Sequence, residues 1–232
     1  MSTFLTADTH FGHPLMLTAC NRPYKNVHEM NEALVRNWNS VIHPKDTVWH
    51  LGDFSMKLDN REMAEIFYAL NGRKHLIIGN HDVLKDGGIL PGLERLGWES
   101  ISHAAEIKHN GQRIMLHHYA GWTWNAEHRG AFQAFGHSHG DLLGLPGSID
   151  VGVDVQNYAP IAAEEFVRQA EDTILNAAKQ VDANVDRLAN RMGFYKERAD
   201  VIRKQRKASA ILDRAPDVEP DEGDELPRGF RR

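Results

Sequence analysis

Cysteine is almost missing from this chain. The single Cys20 excludes an internal disulfide framework and fits a reducing cytoplasm. No run of about 18 apolar residues exists, so no segment reads as a membrane span. The first eight residues, Met1 to Asp8, hold neither a basic stretch nor a long apolar core, and no secretory signal is expected. Positive charge is not in excess either. The formal net charge of −5 gives no general argument for nucleic-acid binding. These absences predict a cytoplasmic protein with no membrane partner.

What is present is an ordinary globular composition with one outlier. The 232 residues are 41% hydrophobic and 25% charged, enough for one domain and an appendage around a real core. Histidine stands out: all fourteen lie before residue 140.

Residues 2–7, 47–51 and 76–78 read as short buried strands, being brief, apolar and partly β-branched. Each runs into a polar loop: Asp8-Thr9-His10, Gly52-Asp53 and Gly79-Asn80-His81-Asp82. Two capping boxes, Asn26 with Glu29 and Asp59 with Glu62, start helices between them. Met30, Leu34, Val35 and Trp38 give one apolar face, and Met63, Ile66, Phe67 and Leu70 the other. Strand, helix, strand, helix, strand is the grammar of a parallel sheet. Residues 101–108 and 112–116 then read as two strands joined at Asn110-Gly111, a hairpin signal. The second ends in His117-His118-Tyr119, and Gly136-His137-Ser138-His139 follows another apolar pair. Ser148 to Val153 reads as a last strand. The expected fold is a mixed α/β domain over residues 1–165, parallel at first and antiparallel later.

Pro160 is expected to open a helix. From Ile174 to Ile202 the apolar residues alternate four and three apart, a heptad-like stripe. Residues 166–212 therefore read as a helical appendage, folded back on its domain or paired with a second chain as a homodimer. Within it, Arg191 to Lys207 carries seven basic and two acidic residues, a solvated face or a nucleic-acid contact. Residues 213–232, acidic and rich in Pro and Gly, read as a disordered tail.

The polar residues at the strand ends are Asp8, His10, Asp53, Asn80, His81, His118, His137 and His139. Carboxylate, imidazole and amide oxygen without thiolate suit Mn²⁺, Fe, Zn²⁺ or Ni²⁺ better than a structural zinc site. So many ligands are too many for one ion and about right for two. Two ions roughly 3.5–4 Å apart need a bridging carboxylate and serve in-line displacement at phosphorus.

Asp8-x-His10, Gly52-Asp53, Gly79-Asn80-His81-Asp82, His118 and Gly136-His137-x-His139 resemble, in order and spacing, the five blocks of the calcineurin-like metallophosphoesterase superfamily. The stretches from Asp8 to His13 and from Trp49 to Phe54 are similar to its small bacterial and phage members. The resemblance implies an αββα sandwich with mixed sheets. It implies Asp8, His10 and His139 on one ion, Asp53 bridging, and Asn80, His118 and His137 on the other. It implies two divalent ions, manganese first and Fe, Zn or Ni as alternatives. The implied reaction is hydrolysis of a phosphodiester or phosphomonoester by a hydroxide bridging the ions, with His81 as the general acid. Asp82 is read as orienting His81. His117 and His118 point to opposite sides of an extended strand, and the family's usual His-Tyr selects His118.

His13, three residues past the first block, and the guanidinium fork of Arg22 are read as substrate-phosphate contacts. Phe54-Ser55-Met56-Lys57 lacks the Asp-Arg-Gly continuation of protein serine/threonine phosphatases, which argues against a phosphoprotein substrate. A nuclease or cyclic-nucleotide phosphodiesterase is the alternative, with a nucleotide or nucleic acid as partner. A non-catalytic scaffold is disfavoured because every ligand position and His81 carry competent residues.

Overall fold

The computed structural model describes residues 1–179. The heptad stripe beyond Lys179, the basic stretch and the tail lie outside the described residues.

Among the described residues the strands form two sheets. In the first, β1 (Thr3–Thr6), β2 (Thr47–His50), β3 (Arg73–Ile77) and β4 (Ser100–Ser102) are parallel, in the order β4-β3-β2-β1. The two-residue β9 (Ile161–Ala162) adds antiparallel to β1. The crossovers follow from the capping signals. A one-turn helix α1 (Met16–Ala19) precedes α2 (Val27–Val41). The Asn26 side chain accepts the Glu29 N–H at 2.9 Å, while the Glu29 carboxylate accepts from Lys25 rather than Asn26. At α3 (Asn60–Ala69) the box of Asp59 and Glu62 is complete. The carbonyls of Leu70 and Gly72 at its far end accept from the buried Lys74 ammonium, at 2.7 and 3.1 Å. A short α4 (Pro91–Glu94) leads to β4.

The second sheet has the order β5-β6-β7-β8. Its strands are β5 (Ala104–His109), β6 (Gln112–His117), β7 (Phe132–Phe135) and β8 (Ser148–Asp150). Asn110 and Gly111 join the β5–β6 hairpin with φ of +48° and +84°. Two positive φ values in a two-residue loop match the right-handed twist of the flanking strands.

The strand expected over residues 101–108 is two strands in different sheets, broken at His103. Apolar spacing marks extended chain but does not say which sheet it joins. The later part is also less antiparallel than expected: β7 and β8 run parallel to β6. The segment from His118 to Ala131 is long enough for a parallel crossover, which needs about a dozen residues.

Alternation along each strand builds two cores. Phe4, Val48 and Leu76 face outward onto Met30, Leu34 and Trp38 of α2 and Met63 and Phe67 of α3. Leu5, Ala7, Leu51 and Ile77 face inward onto Ile114, Leu116, Phe132 and Ala134 of the second sheet. The outer face of that sheet is covered near Gln133 by the β6–β7 segment. There Gln133 accepts from Gly121 N at 3.1 Å and from the Ser148 hydroxyl at 2.9 Å. Helix α5 (Ala163–Lys179) touches β8, β1 and β9, at the edge shared by the two sheets. Its Phe166 and Ala170 are fully buried in the inter-sheet core. The compact unit therefore runs through Lys179, past the boundary expected at residue 165. Pro160 precedes β9 rather than the helix, which begins at Ala163. Among the described residues no helix is long and apolar enough to cross a membrane.

If α5 belongs to the core, Phe166→Ala should lower unfolding free energy by about 3–5 kcal/mol in urea titrations. A loss below about 1 kcal/mol would show that the helix only rests on the surface.

Candidate metal centre

Parallel strands deliver their carboxyl ends to one edge of a sheet, where α/β folds place ligands. The loops after β1, β2, β3, β6 and β7 all open at this edge, and they carry the eight residues named from the sequence. Backbone hydrogen bonds fasten the first two loops together. Asp8 N donates to Gly52 O, His10 N to Asp53 O and Phe11 N to Phe54 O, each at 3.0 Å. Side chains fasten the rest. His137 N donates to Asp8 Oδ2 and His81 N to Asp53 Oδ1, both at 2.8 Å.

The backbone here is strained. Asp8, His10, Asp53, His137 and His139 have φ of +57°, +47°, +59°, +68° and +47°. Left-handed backbone costs a non-glycine residue on the order of 1–2 kcal/mol, and such residues concentrate at functional sites. Gly79 answers a different demand, close approach: a Cβ there would collide with Asp53 Oδ1.

The side chains gather around Asp53. Its Oδ2 lies 3.5 Å from His10 Nε2 and 3.6 Å from His118 Nε2. Two donors bound to one tetrahedral ion at ordinary bond lengths lie roughly 3.4 Å apart. Asp8, His10 and His139 form one group whose donor atoms lie within 4.8 Å of one another, and Asp53, His118 and His137 form a second. His10, Asp53 and His81 meet the same limit, so Asp53 lies between the groups. The Asn80 amide oxygen is 3.0 Å from His118 Nε2, on the side of the second group. His118 donates through Nδ1 to Leu51 O at 2.7 Å, which leaves its Nε2 lone pair facing Asp53. His117, on the other face of β6, belongs to none of these groups.

Electrostatics shows what this set lacks. Asp8 is fully buried, and burial, then the nearby Asp53 and Asp150 carboxylates, push its pKa well above the ordinary value. Burial also raises Asp53. Burial and then the His139 imidazole push His10 down to about 2, so its imidazole is neutral. Asp8 Oδ1 and both ring nitrogens of His10 are buried without a hydrogen-bond partner among the described residues. Crowded carboxylates beside neutral imidazoles with free lone pairs have no reason to be buried together unless a cation joins them. The residues present fit divalent metal.

Two other residues named from the sequence also line this edge. His81 is half-buried, its ring 5.2 Å from that of His10, centroid to centroid. His13 is buried beside both, 5.5 Å from the His10 ring and 6.0 Å from that of His81.

Two expectations are corrected. Asp82 does not orient the His81 ring. Its carboxylate accepts from the backbone of Asp53, Phe54 and Gly79, at 2.8, 3.0 and 2.8 Å, and so ties the β2 and β3 loops together. Arg22 is not free to hold a substrate phosphate. It is buried and its fork is filled by Asp154, with Nε to Oδ1 and Nη2 to Oδ2 both at 2.8 Å. Asp154 and Asp150 were missed. Asp150 accepts from the Ser138 hydroxyl at 2.7 Å and from Gly140 N at 3.0 Å, pinning the loop of His137 and His139. The run Asp150-Val151-Gly152-Val153-Asp154 carries the signal that marked the other loops, acids at the end of an apolar stretch.

No family model matches the chain. Over 176 residues it is 32% identical to an uncharacterized protein of Methanocaldococcus jannaschii, MJ1445, covering 72% of this chain and 90% of that one. The Gene 66 protein of Mycobacterium phage L5 is 34% identical over 113 residues, 46% of this chain and 54% of that protein. The crystal structure of AQ665 from Aquifex aeolicus, a protein of unknown function, superposes with a TM-score of 0.58 at 26% identity. That match covers 72% of this chain and 98% of that one. Two layered sheets with five such loops at one edge are the arrangement that the sequence resemblance to calcineurin-like metallophosphoesterases implies. The chain belongs to the same family as the M. jannaschii protein.

His118→Ala should lower metal content, measured by elemental analysis of the purified protein, while His117→Ala should leave it unchanged. The reverse result would assign the ligand to His117.

Proposed function

We propose that this protein is a metal-dependent phosphoesterase, with a phosphodiester favoured over a phosphomonoester as substrate. The observation that carries the reading is the placement of Asp53 Oδ2 between His10 Nε2 and His118 Nε2, at 3.5 and 3.6 Å. One carboxylate facing two ligand groups suits a pair of ions. Asp8, His10 and His139 would hold one, Asn80, His118 and His137 the other, and Asp53 both. Mn²⁺ is favoured, with Fe, Zn²⁺ or Ni²⁺ accepted by the same donors. When bound, such ions supply Lewis-acid stabilisation at phosphorus and a nucleophilic water at neutral pH.

The chain's own residues do the rest. His81 reaches the cleft from the loop that Asp82 ties to Asp53, so its imidazole is positioned to give a proton to the leaving oxygen. General acid catalysis of this kind contributes about 10²–10⁴-fold. His13, buried beside it, adds a polar edge toward the phosphate. Tyr119, half exposed, packs edge-on against His118 and His137, with ring centroids 4.9 and 4.5 Å away, at the rim of the second group. A nuclease is supported less, because Arg22, a cation buried beside the cleft, is committed to Asp154 rather than to a polyanion. A scaffold is supported less, because no ligand position has been lost.

The test is turnover of bis-p-nitrophenyl phosphate and of p-nitrophenyl phosphate by protein stripped with chelator and reloaded with Mn²⁺. Metal-dependent hydrolysis, faster for the diester, is expected. His81→Ala should lower kcat by about 10²–10⁴-fold with metal content retained. No turnover of either ester with two ions bound would contradict the reading.

A further inference from the structure

Asp154 and Arg22 lie 132 positions apart, yet they form one buried unit beneath the first ligand group. Their side chains are 5% and 0% exposed. The Asp154 carboxylate takes both arms of the guanidinium fork at 2.8 Å. Its Oδ2 also takes Nδ1–H of His139 at 2.6 Å. Of the three remaining guanidinium contacts, two go to the backbone of the first loop, Nη2 to Asp8 O at 2.7 Å and Nη1 to Thr9 O at 2.8 Å, and one goes from Nη1 to Met30 Sδ at 3.6 Å.

We propose that Asp154, with Arg22, is the positioning unit of the first metal site, resting on the metal-dependent reading above. The pair touches the supports of all three ligands in that group. Nδ1 of His139 is spent on Asp154, so the ring presents Nε2 to the ion. Asp8 and His10 sit in left-handed backbone, at φ of +57° and +47°, on either side of Thr9. The guanidinium holds the carbonyls of this strained stretch and joins them to the same carboxylate that aims His139. A planar fork does this where an ammonium could not, because it offers parallel donors at fixed spacing. Among the described residues no hydrogen bond or ion pair joins the second ligand group, Asp53, His118 and His137, to the pair. The unit therefore acts on one site of the two.

The test is Mn²⁺ binding to the full-length apo protein, followed by calorimetry and by equilibrium dialysis with metal analysis. Wild type is expected to bind two ions. Asp154→Asn should weaken one site by about 10–100-fold, the usual loss when a ligand's supporting partner is removed, and leave the other unchanged. In the double variant His139→Ala, Asp154→Asn the loss should be smaller than the product of the two single losses, since part of the effect passes through that ring. Multiplicative losses, or equal weakening of both sites, would mean a general structural role and overturn the inference. Should Asp154→Asn fail to fold, Arg22→Lys keeps the charge and removes the fork. It should weaken the same single site, and unchanged affinity would overturn the inference. Two unaltered sites in Asp154→Asn would also overturn it while leaving the metal-dependent reading intact. Fewer than two ions on wild type would overturn both.

Discussion

A buried carboxylate needs a compensating charge, and around Asp53 the chain arranges for that charge to come from outside itself. Asp53 is buried, beside Asp8 and the imidazoles of His10 and His118, whose pKa values burial pushes down. Among the described residues the one guanidinium in hydrogen-bond contact with these loops, Arg22, is already paired with Asp154. Desolvating carboxylates without a partner is among the more expensive arrangements a protein can hold. The loops of both sheets converge on this one deficit, and a divalent metal would remove it.

The rest of the architecture reads as the scaffolding that tolerates this deficit. Five residues of the ligand groups hold left-handed backbone. Several kcal/mol of strain and desolvation are held against an inter-sheet core whose members, from Leu5 to Phe166, are nearly all fully buried. Rigid supports are also what precise chemistry requires, because a ligand displaced by an ångström no longer matches the ion. Asp82, Asp150 and Asp154 share this task. Each spends a carboxylate on amide, hydroxyl, guanidinium or imidazole donors of the loops. Asp82 and Asp154 each follow an apolar run, as the candidate ligands do. The chain thus uses acids in two ways at one edge of the sandwich: some face the cleft, and others hold those in place.

Much of this was legible in the sequence because its signals are local. A capping box lies within four residues, and Asp59 with Glu62 forms as written. A hairpin turn lies within two, and Asn110-Gly111 takes the positive φ values that pair favours. A polar loop after a short apolar run places ligands whatever the rest of the chain does, so Asp8, His10, Asp53, His81, His118, His137 and His139 could be named and do meet. What depends on distant packing was not legible. The partner of Arg22 is fixed by where β8 ends, not by its neighbours in the chain, so its fork read as open. Residues 101–108 carry a strand's pattern, but the switch between sheets at His103 is a tertiary event. Helix α5 belongs to the core because Phe166 and Ala170 find the gap at the shared edge of the sheets, which no heptad spacing announces. Asp82 was nearer to legible. Its carboxylate folds back to Gly79, three residues earlier, a short-range side-chain turn that Asp is prone to make.

In the proposed reading Asp53 joins two metal sites rather than serving one. Electron paramagnetic resonance of the protein loaded with two equivalents of Mn²⁺ tests it most directly, since ions sharing a carboxylate at about 3.5–4 Å are magnetically coupled. A coupled spectrum is expected in wild type, collapsing to isolated Mn²⁺ signals in Asp53→Ala. Isolated Mn²⁺ signals in wild type at full loading, or coupling that survives Asp53→Ala, would contradict that reading.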